Sequence, residues 1–509
     1  MNSKVQLKWL LLFSVLLCFA SAQILEQPFI TYADHPDNLT FSVVSSYSDT
    51  WSNQTIDGFG PVLPTLYLVD PYNKIETKYL PTSNLTYTSK FTNSTYNKTA
   101  YFFTVPIAKG KDYKWTIRAS NQVGPFELNL RDSFDTSFIV TGDLDLSPVA
   151  FPTWRMLSKT DWNNYDLFIH AGDLAYNIDF EEGKRGDVFF QSLSNTINKV
   201  PFTPIAGNHE NFDQADLFNY RFKLPHYNST FKNNVYHFQK NNVFFVFVNY
   251  DLFLKINKKQ AGKDKEKEVF KYLEQIFKDN KDSETIRWRV VITHRPIVCG
   301  WLEKNDCSIN QLALKPFEEL YRKYKVDALL LAHEHIYERL RFMKNFEPLK
   351  SLKKDIDGSM TVFTDPSEPL TVINGLSGNS ETWVKDYEYS NVNEKTFAGV
   401  QTYLEVKAND ESFTVRALSS ETREVLDVAK IVKTSSFVTP GKGWLNRIPS
   451  WVYPIFFVLM IGLAYAIIKM LSNWTHKKNE EKIASLKSSV LESSGEGVSL
   501  NEKNNASLV

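Results

Sequence analysis

Three things are scarce in this chain of 509 residues. Net charge is absent: 58 Lys and Arg balance 58 Asp and Glu. A nucleic-acid partner calls for a basic face, so none is expected. Internal repeats are absent too, which leaves no sign of stacked repeat units. Cysteine is rare, with three in all. Cys18 sits in an N-terminal apolar stretch, which leaves Cys299 and Cys307 as an even pair. In a secreted chain such a pair suggests a disulfide; two free thiols are the alternative. What is abundant is aromatic side chains, at 14%, a composition that suits pleated, β-rich surfaces. The length exceeds what one core can fill, so two or more domains are expected.

Both ends have membrane character. The first begins with Lys4 and Lys8, continues through an apolar run from Trp9 to Phe19, and ends on Ala20-Ser21-Ala22. That pattern reads as a signal peptide over residues 1–22, with an uncleaved anchor as the alternative. Near the other end, residues 451–468 carry no charge and are flanked by Trp444, Trp451 and Trp474. About 18 to 20 apolar residues cross a bilayer, and tryptophan favours its interface. A single transmembrane helix is expected over 451–471, with a buried core helix as the alternative. Lys469, Lys477, Lys478 and Lys482 suit a cytoplasmic side, and the polar tail 472–509 reads as disordered. The expected topology is type I, with a short stalk at 434–450. Glycosylation sequons at Asn38, Asn53, Asn84, Asn93, Asn97 and Asn228 agree with a lumenal or extracellular ectodomain.

Within that ectodomain the pattern changes once. Residues 23–133 alternate short aromatic and β-branched runs with turn residues, as in a β-sandwich. From residue 137 onward strands alternate with helices, which implies a parallel or mixed sheet flanked by helices. Helices are expected over 148–159, 186–200, 263–281 and 312–324, and a hairpin at Asn241-Asn242. The strand-rich stretch 360–433 is expected to complete a second sheet. The fold class is therefore α/β (α+β), with its catalytic domain at 137–433.

Five segments in that domain carry metal-ligating residue types: Asp143 in GDLD, Asp173 and Tyr176 in GDLAY, Asn208 and His209 in GNHE, His294 in VVITHRP, and His333 and His335 in AHEH. Each follows an apolar strand, and in such sheets ligands collect beyond the strands' carboxyl ends. A buried carboxylate there is costly unless paired or metal-bound. A lone GD or HxH has a bland reading as a turn; five motifs in order do not. His333 and His335, two apart, would share a face in a straight strand. Carboxylate, phenolate, amide and imidazole together suit two metal ions, one of them hard and oxidised.

These motifs, with H-R-P and YER beside them, resemble the purple acid phosphatases of the metallophosphoesterase superfamily. The spacing of Cys299 and Cys307 resembles the animal-type branch. The resemblance implies that Asp143, Tyr176 and His335 bind Fe(III). It implies that Asn208, His294 and His333 bind a divalent ion (Zn, Mn or Fe), that Asp173 bridges the two, and that His209 faces phosphate. It also implies a fibronectin-like N-terminal domain and hydrolysis of phosphate monoesters by a metal-bound hydroxide, with a phosphorylated small molecule or phosphoprotein as substrate. Tyr176 separates the chain from the protein Ser/Thr phosphatases, which carry Asp-Arg-Gly after the second GD. Two positions depart from the family: Asp145 and Ala332 stand where glycine is usual, and Asp145 is expected to add a carboxylate near the first metal. Glu303 and Lys304 stand where plant-type members carry further histidines. A phosphodiesterase or nucleotide pyrophosphatase with the same metal core is the alternative, and a non-catalytic surface glycoprotein a third reading. The ectodomain is expected to be extracellular or in the lumen of an acidic secretory or endolysosomal compartment.

Overall fold

The computed structural model describes residues 24–437 and 452–493, apart from 36, 47–62, 89–96, 109, 120, 211–214, 255–259, 299, 301–305, 342, 345–346, 349–353, 358–359 and 382–392. The chain divides into two compact units, Met1–Pro440 and Gly441–Val509. The expected signal peptide, Asn53, Asn93, Cys299, Glu303, Lys304 and most of the stalk lie outside the described residues. Cys307 is known only as part of a helix, so the expected disulfide lies outside them as well.

The first unit opens with β1 (Ile24–Tyr32), β2 (Asn38–Ser46), β3 (Thr65–Val69), β4 (Glu76–Tyr79), β5 (Ser83–Thr88), β6 (Asn97–Pro106), β7 (Asp112–Arg118) and β8 (Gln122–Asn129). They form two four-stranded sheets, ordered β1-β2-β6-β5 and β4-β3-β7-β8. The aromatic content does the packing: Phe41 on β2 meets Trp115 on β7 edge-on at 5.1 Å. The same Trp115 donates its indole N–H to the Asn198 carbonyl at 3.0 Å, tying these sheets to the next part of the chain. Asn84 and Asn228 are exposed, whereas Asn38 and Asn97 sit half-buried in strands.

The strands that follow are β9 (Thr136–Thr141), β10 (Leu167–His170), β11 (Phe202–Pro204), β12 (Val235–Lys240), β13 (Val243–Val248), β14 (Trp288–Thr293), β15 (Ala328–Leu331), β16 (Tyr337–Leu340), β17 (Met343–Lys344), β18 (Glu347–Pro348), β19 (Lys354–Asp357), β20 (Met360–Thr364), β21 (Leu370–Asn374), β22 (Asn393–Phe397), β23 (Thr402–Ala408), β24 (Ser412–Ser419) and β25 (Val425–Val432). The helices between them are α1 (Phe151–Lys159), α2 (Lys184–Ile197), α3 (Asp216–Arg221), α4 (Gln260–Asp279) and α5 (Asp306–Lys323). Two large sheets result, ordered β11-β10-β9-β23-β24-β25-β20-β19 and β12-β13-β14-β15-β21-β16-β22. Each is built on parallel neighbours, β9 to β11 in one and β13, β14, β15 and β21 in the other.

The period of two explains how strands such as VFFVFV are satisfied on both faces. Val243, Phe245 and Phe247 enter the core between the sheets. Phe244, Val246 and Val248 enter a second core with Val269 and Leu273 of α4 and Leu314 and Phe317 of α5. Phe138 on β9 meets Phe245 on β13 at 5.2 Å, so the two sheets face each other.

Three expectations change. The stretch 360–433 does not complete one sheet. Its β21 and β22 join the second sheet, while β20, β23, β24 and β25 extend the first. Strand-rich sequence reports strands, not their partners. Helix α5 starts at Asp306 rather than 312, because its polar first turns carry no apolar periodicity. Helix α2 starts at Lys184 and ends at Ile197 rather than 200.

Among its described residues the second unit contains one helix, α6 (Val452–Ser493). It runs through the expected span and on into the tail that reads as disordered. The tail's Lys- and Glu-rich sequence is a good helix former, and His476 and Glu480 pair one turn apart at 3.4 Å. Among the described residues no helix is long and apolar enough to cross a membrane; most side chains of the 451–471 segment lie outside them.

Candidate metal centre

All five motifs leave the carboxyl ends of parallel strands from the two facing sheets. Asp143 follows β9, Asp173 follows β10, Asn208 and His209 follow β11, His294 follows β14, and His333 and His335 follow β15. The chain must turn sharply there, and several ligand positions are left-handed: φ is 59° at Asp143, 56° at Asp173, 50° at Tyr176 and 72° at His333. Such a conformation costs an L-residue roughly 1–2 kcal/mol, so the sheets hold these turns against local preference. Concentrated strain of this kind marks functional sites. Gly172, with φ 97°, makes room: a Cβ there would lie 2.6 Å from His294 Nδ1.

The donors fall into two groups. In one, the Tyr176 hydroxyl lies 2.7 Å from His335 Nε2 and 3.2 Å from Asp143 Oδ1. His335 Nε2 is 3.4 Å from that same oxygen. In the other, His294 Nε2 is the hub, 3.0 Å from Asn208 Oδ1, 3.2 Å from His333 Nδ1 and 3.1 Å from Asp173 Oδ2. Asp173, His294 and His333 bring their ligand atoms within 4.8 Å of one another. His333 and His335 do not share a face as a straight strand would require. The strand ends at Leu331, and the left-handed turn at His333 sends one imidazole to each group.

Supporting contacts fix the orientation of these side chains. His294 Nδ1 lies 2.9 Å from the Ala171 carbonyl, which places the proton there and directs Nε2 inward. Arg295, held by Asp251 at 2.7 Å, donates toward His333 Nε2 at 2.9 Å and leaves Nδ1 facing the hub. Glu210 accepts from the backbone N–H groups of Asp173, Leu174 and Gly207 at 2.8–2.9 Å. It thereby locks the second and third motifs together. Glu210 was not singled out from sequence, although it completes GNHE.

The electrostatics fit cations. Asp143 and Asp173 are fully buried, a placement that costs several kcal/mol per ion without compensation. Burial opposes a charged His294, but Asp173 and Asp143 beside it raise its pKa to about 9. Burial and the positive neighbours His294 and Arg295 depress His333 far below its ordinary value, so it is a neutral imidazole, the form that ligates. Burial and Asp143 push the Tyr176 phenol well up; only a strong Lewis acid would ionise it. Each group thus shares protons among donors that a metal ion would otherwise hold together.

At the rim, His209 Nδ1 is 3.0 Å from Asn177 Oδ1, and its Nε2 is 3.7 Å from Asp173 Oδ2. Glu381 approaches from the segment that follows β21 of the second sheet, 3.5 Å from His209 Nε2 and 4.0 Å from His335 Nε2. No motif announces Glu381; only the fold brings it here.

Both departures from the family pattern acquire a place. A Cβ on Gly142 would lie 2.5 Å from the Cβ of Ala332, so the methyl at 332 demands glycine at 142. Asp145 does not add a carboxylate toward the first group. Its oxygens are taken by Arg185 at 2.5 Å and Ser380 at 2.9 Å.

Comparison with known proteins finds similar chains and a similar fold. Residues 137–337 match the calcineurin-like phosphoesterase family. The chain is 27% identical to acid phosphatase type 7 of Homo sapiens over 48% of this chain and 54% of that protein. It is 23% identical to an Arabidopsis thaliana protein named Fe(3+)-Zn(2+) purple acid phosphatase 12, over 47% of this chain and 50% of the other. The chain spans about half the length of the curated relatives it matches. A purple acid phosphatase from yellow lupin (Lupinus luteus) seeds shares the fold with a TM-score of 0.63 at 13% identity, covering 81% of this chain and 75% of that one.

Proposed function

We infer, from a chain whose residues 137–337 form a calcineurin-like phosphoesterase domain, that this protein is a metal-dependent acid phosphatase acting on phosphate monoesters. The observation that carries the reading is the sorting of seven buried or half-buried donors into two groups of different chemistry. Asp143, Tyr176 and His335 would hold Fe(III), because carboxylate and phenolate suit a hard ion. Asn208, His294 and His333 would hold a divalent ion such as Zn, Mn or Fe, with Asp173 between the two. The Arabidopsis relative, named as an Fe(3+)-Zn(2+) enzyme, supports that pairing. A metal pair, when bound, supplies charge to the phosphoryl oxygens and acidifies a water.

The chain's own residues do the rest. Asn177 orients the His209 ring and leaves Nε2 directed to the rim, where a leaving oxygen would take a proton. The buried strands exclude bulk water from the ligand side, and Glu381 sets the charge of the mouth. That carboxylate favours one specific second reading, a phosphodiesterase, because a monoanionic diester meets less repulsion there than a dianion.

Around this core we read the two N-terminal sheets as a fibronectin-like support domain. Residues 1–22 are read as a signal peptide, 451–471 as a single span, and Cys299–Cys307 as a disulfide at the rim. The site would then face the cell exterior or an acidic lumen, with the sequons glycosylated. The test is hydrolysis of p-nitrophenyl phosphate against bis(p-nitrophenyl) phosphate by the full-length protein, with Asp173→Ala as control. Monoester turnover at least about tenfold above diester turnover, lost in the control, is expected. Preference for the diester would establish the second reading, and hydrolysis of neither by metal-loaded protein would overturn both.

A further inference from the structure

Asp145 stands where the resembling family has glycine, and it is fully buried. Nothing in the centre uses it, yet every polar atom it offers is engaged. Its Oδ1 accepts from Arg185 Nη2 at 2.5 Å and from the Leu146 N–H at 2.6 Å. Its Oδ2 accepts from the Ser380 hydroxyl at 2.9 Å. Its own N–H donates to the Gly378 carbonyl at 2.8 Å, and its carbonyl accepts from the Trp154 indole at 2.9 Å.

Arg185 continues the chain of contacts. Its Nε donates to the Ala175 carbonyl at 2.6 Å. Ala175 opens three successive left-handed residues, with φ of 61° at Ala175, 50° at Tyr176 and 79° at Asn177. Such a run does not hold itself. Its supports include the bond from Ala175 N–H to the Leu144 carbonyl at 2.9 Å, the Gly186 N–H on the Ile178 carbonyl at 3.2 Å, and Arg185. The turn aims Tyr176 at the first donor group and Asn177 at His209. On the other side, Ser380 is the neighbour of Glu381, the carboxylate at the rim.

We propose that Asp145 is a positioning residue that braces three loops at once: its own motif, the Tyr176 turn through Arg185, and the Glu381 loop through Ser380. It touches no substrate. It fixes where the phenol meets Asp143 and His335, and where the rim carboxylate stands. This role rests on the functional reading above only in its catalytic consequence; the brace itself is a property of the metal-free fold.

The test therefore has two arms on the full-length protein. In the first, hydrogen exchange is measured on metal-free wild type, Asp145→Asn, Asp145→Gly and Arg185→Met. Exchange at residues 174–178 should quicken at least about tenfold in all three variants, and at 378–381 in the Asp145 pair, with the strands β9, β10 and β14 unchanged. Exchange that rises everywhere, or only beside residue 145, would overturn the brace. In the second arm, iron-loaded protein is examined for its visible tyrosinate band, metal content and steady-state kinetics. Asp145→Gly should shift or weaken the band and lower kcat/KM by about 10–100-fold, as loss of an outer partner of a metal ligand typically does. Asp145→Asn, which keeps the shape, should fall between. A variant that melts earlier but keeps band, stoichiometry and kcat/KM would reduce Asp145 to a stability residue and sink the proposal. A wild type that is colourless and inactive would refute the functional reading instead, while the exchange arm still decides the brace.

Discussion

The two donor groups lie side by side yet are built on opposite chemical principles. Asp143, Tyr176 and His335 join a carboxylate, a phenol and one imidazole. Asn208, His294, His333 and Asp173 gather two imidazoles and an amide about one carboxylate. The first can shed two protons to balance a highly charged ion, because the carboxyl and the phenol can both be anionic. The second offers mostly neutral ligands and suits a divalent ion. The difference teaches that the fold fixes the distances while the residue types fix the charge that each half accepts.

The comparison breaks most visibly when one half is removed. Tyr176→Phe and Asn208→Ala should each reduce turnover by about 10³-fold, the equivalent of several kcal/mol of lost transition-state stabilisation. Elemental analysis should then separate them. The tyrosine variant loses its colour, whereas the asparagine variant stays coloured and loses the divalent ion. If both variants lose both metals together, the halves are not independent and the division is wrong.

A subtler difference lies in how the second group titrates. In the metal-free chain His294 is held to about 9 by Asp173 and Asp143 against the pull of burial, whereas an unfolded histidine titrates near 6.5. The folded state therefore keeps a proton that the unfolded state gives up. Its contribution to stability is fully present below about pH 6.5 and is lost as pH rises through 9, on the order of 3 kcal/mol. Urea denaturation of chelated protein at pH 6 and pH 9.5 should show that loss, and His294→Asn should flatten it. Metal-loaded protein should behave oppositely over the same range, because the ion must displace the proton.

The smallest effect expected is at the rim. Glu381→Gln removes one negative charge from the mouth. Two unit charges about 4 Å apart in a water-like medium interact by about 1 kcal/mol, so KM should fall about fivefold for each negative charge on the ester, and therefore more for a dianionic monoester than for a monoanionic diester. An equal change for both esters would mean that Glu381 acts by shape rather than charge.

Sequence patterns reveal much of this molecule because metal donors at strand ends come with recognisable neighbours. GD, GNHE and HxH each place a polar ligand after an apolar strand, and the structure brings all of them together. Other features have no local signal. Asp145 in GDLD reads as an added carboxylate near the first metal, and only the position of Arg185 shows that it is already engaged. Glu381 belongs to no motif. The split of 360–433 between two sheets depends on which strands pair, and alternating hydrophobicity is silent about that. Residues 472–493 are helical although their sequence reads as disordered, because high charge marks disorder and exposed helix alike; the spacing of His476 and Glu480 favours the helix.

A socket shaped by two sheets differs from a clasp that closes around its ion. The left-handed turns at Asp143, Asp173, Tyr176 and His333 are held by strands whose cores contain no ligand at all. The shape of the centre should therefore outlast its contents. An ion can be withdrawn and a different one admitted without the chain unfolding between them. On the proposed reading, which metal would sit in the divalent half becomes a matter of supply where the protein resides, and the same polypeptide would work at different rates in surroundings that offer zinc, manganese or iron.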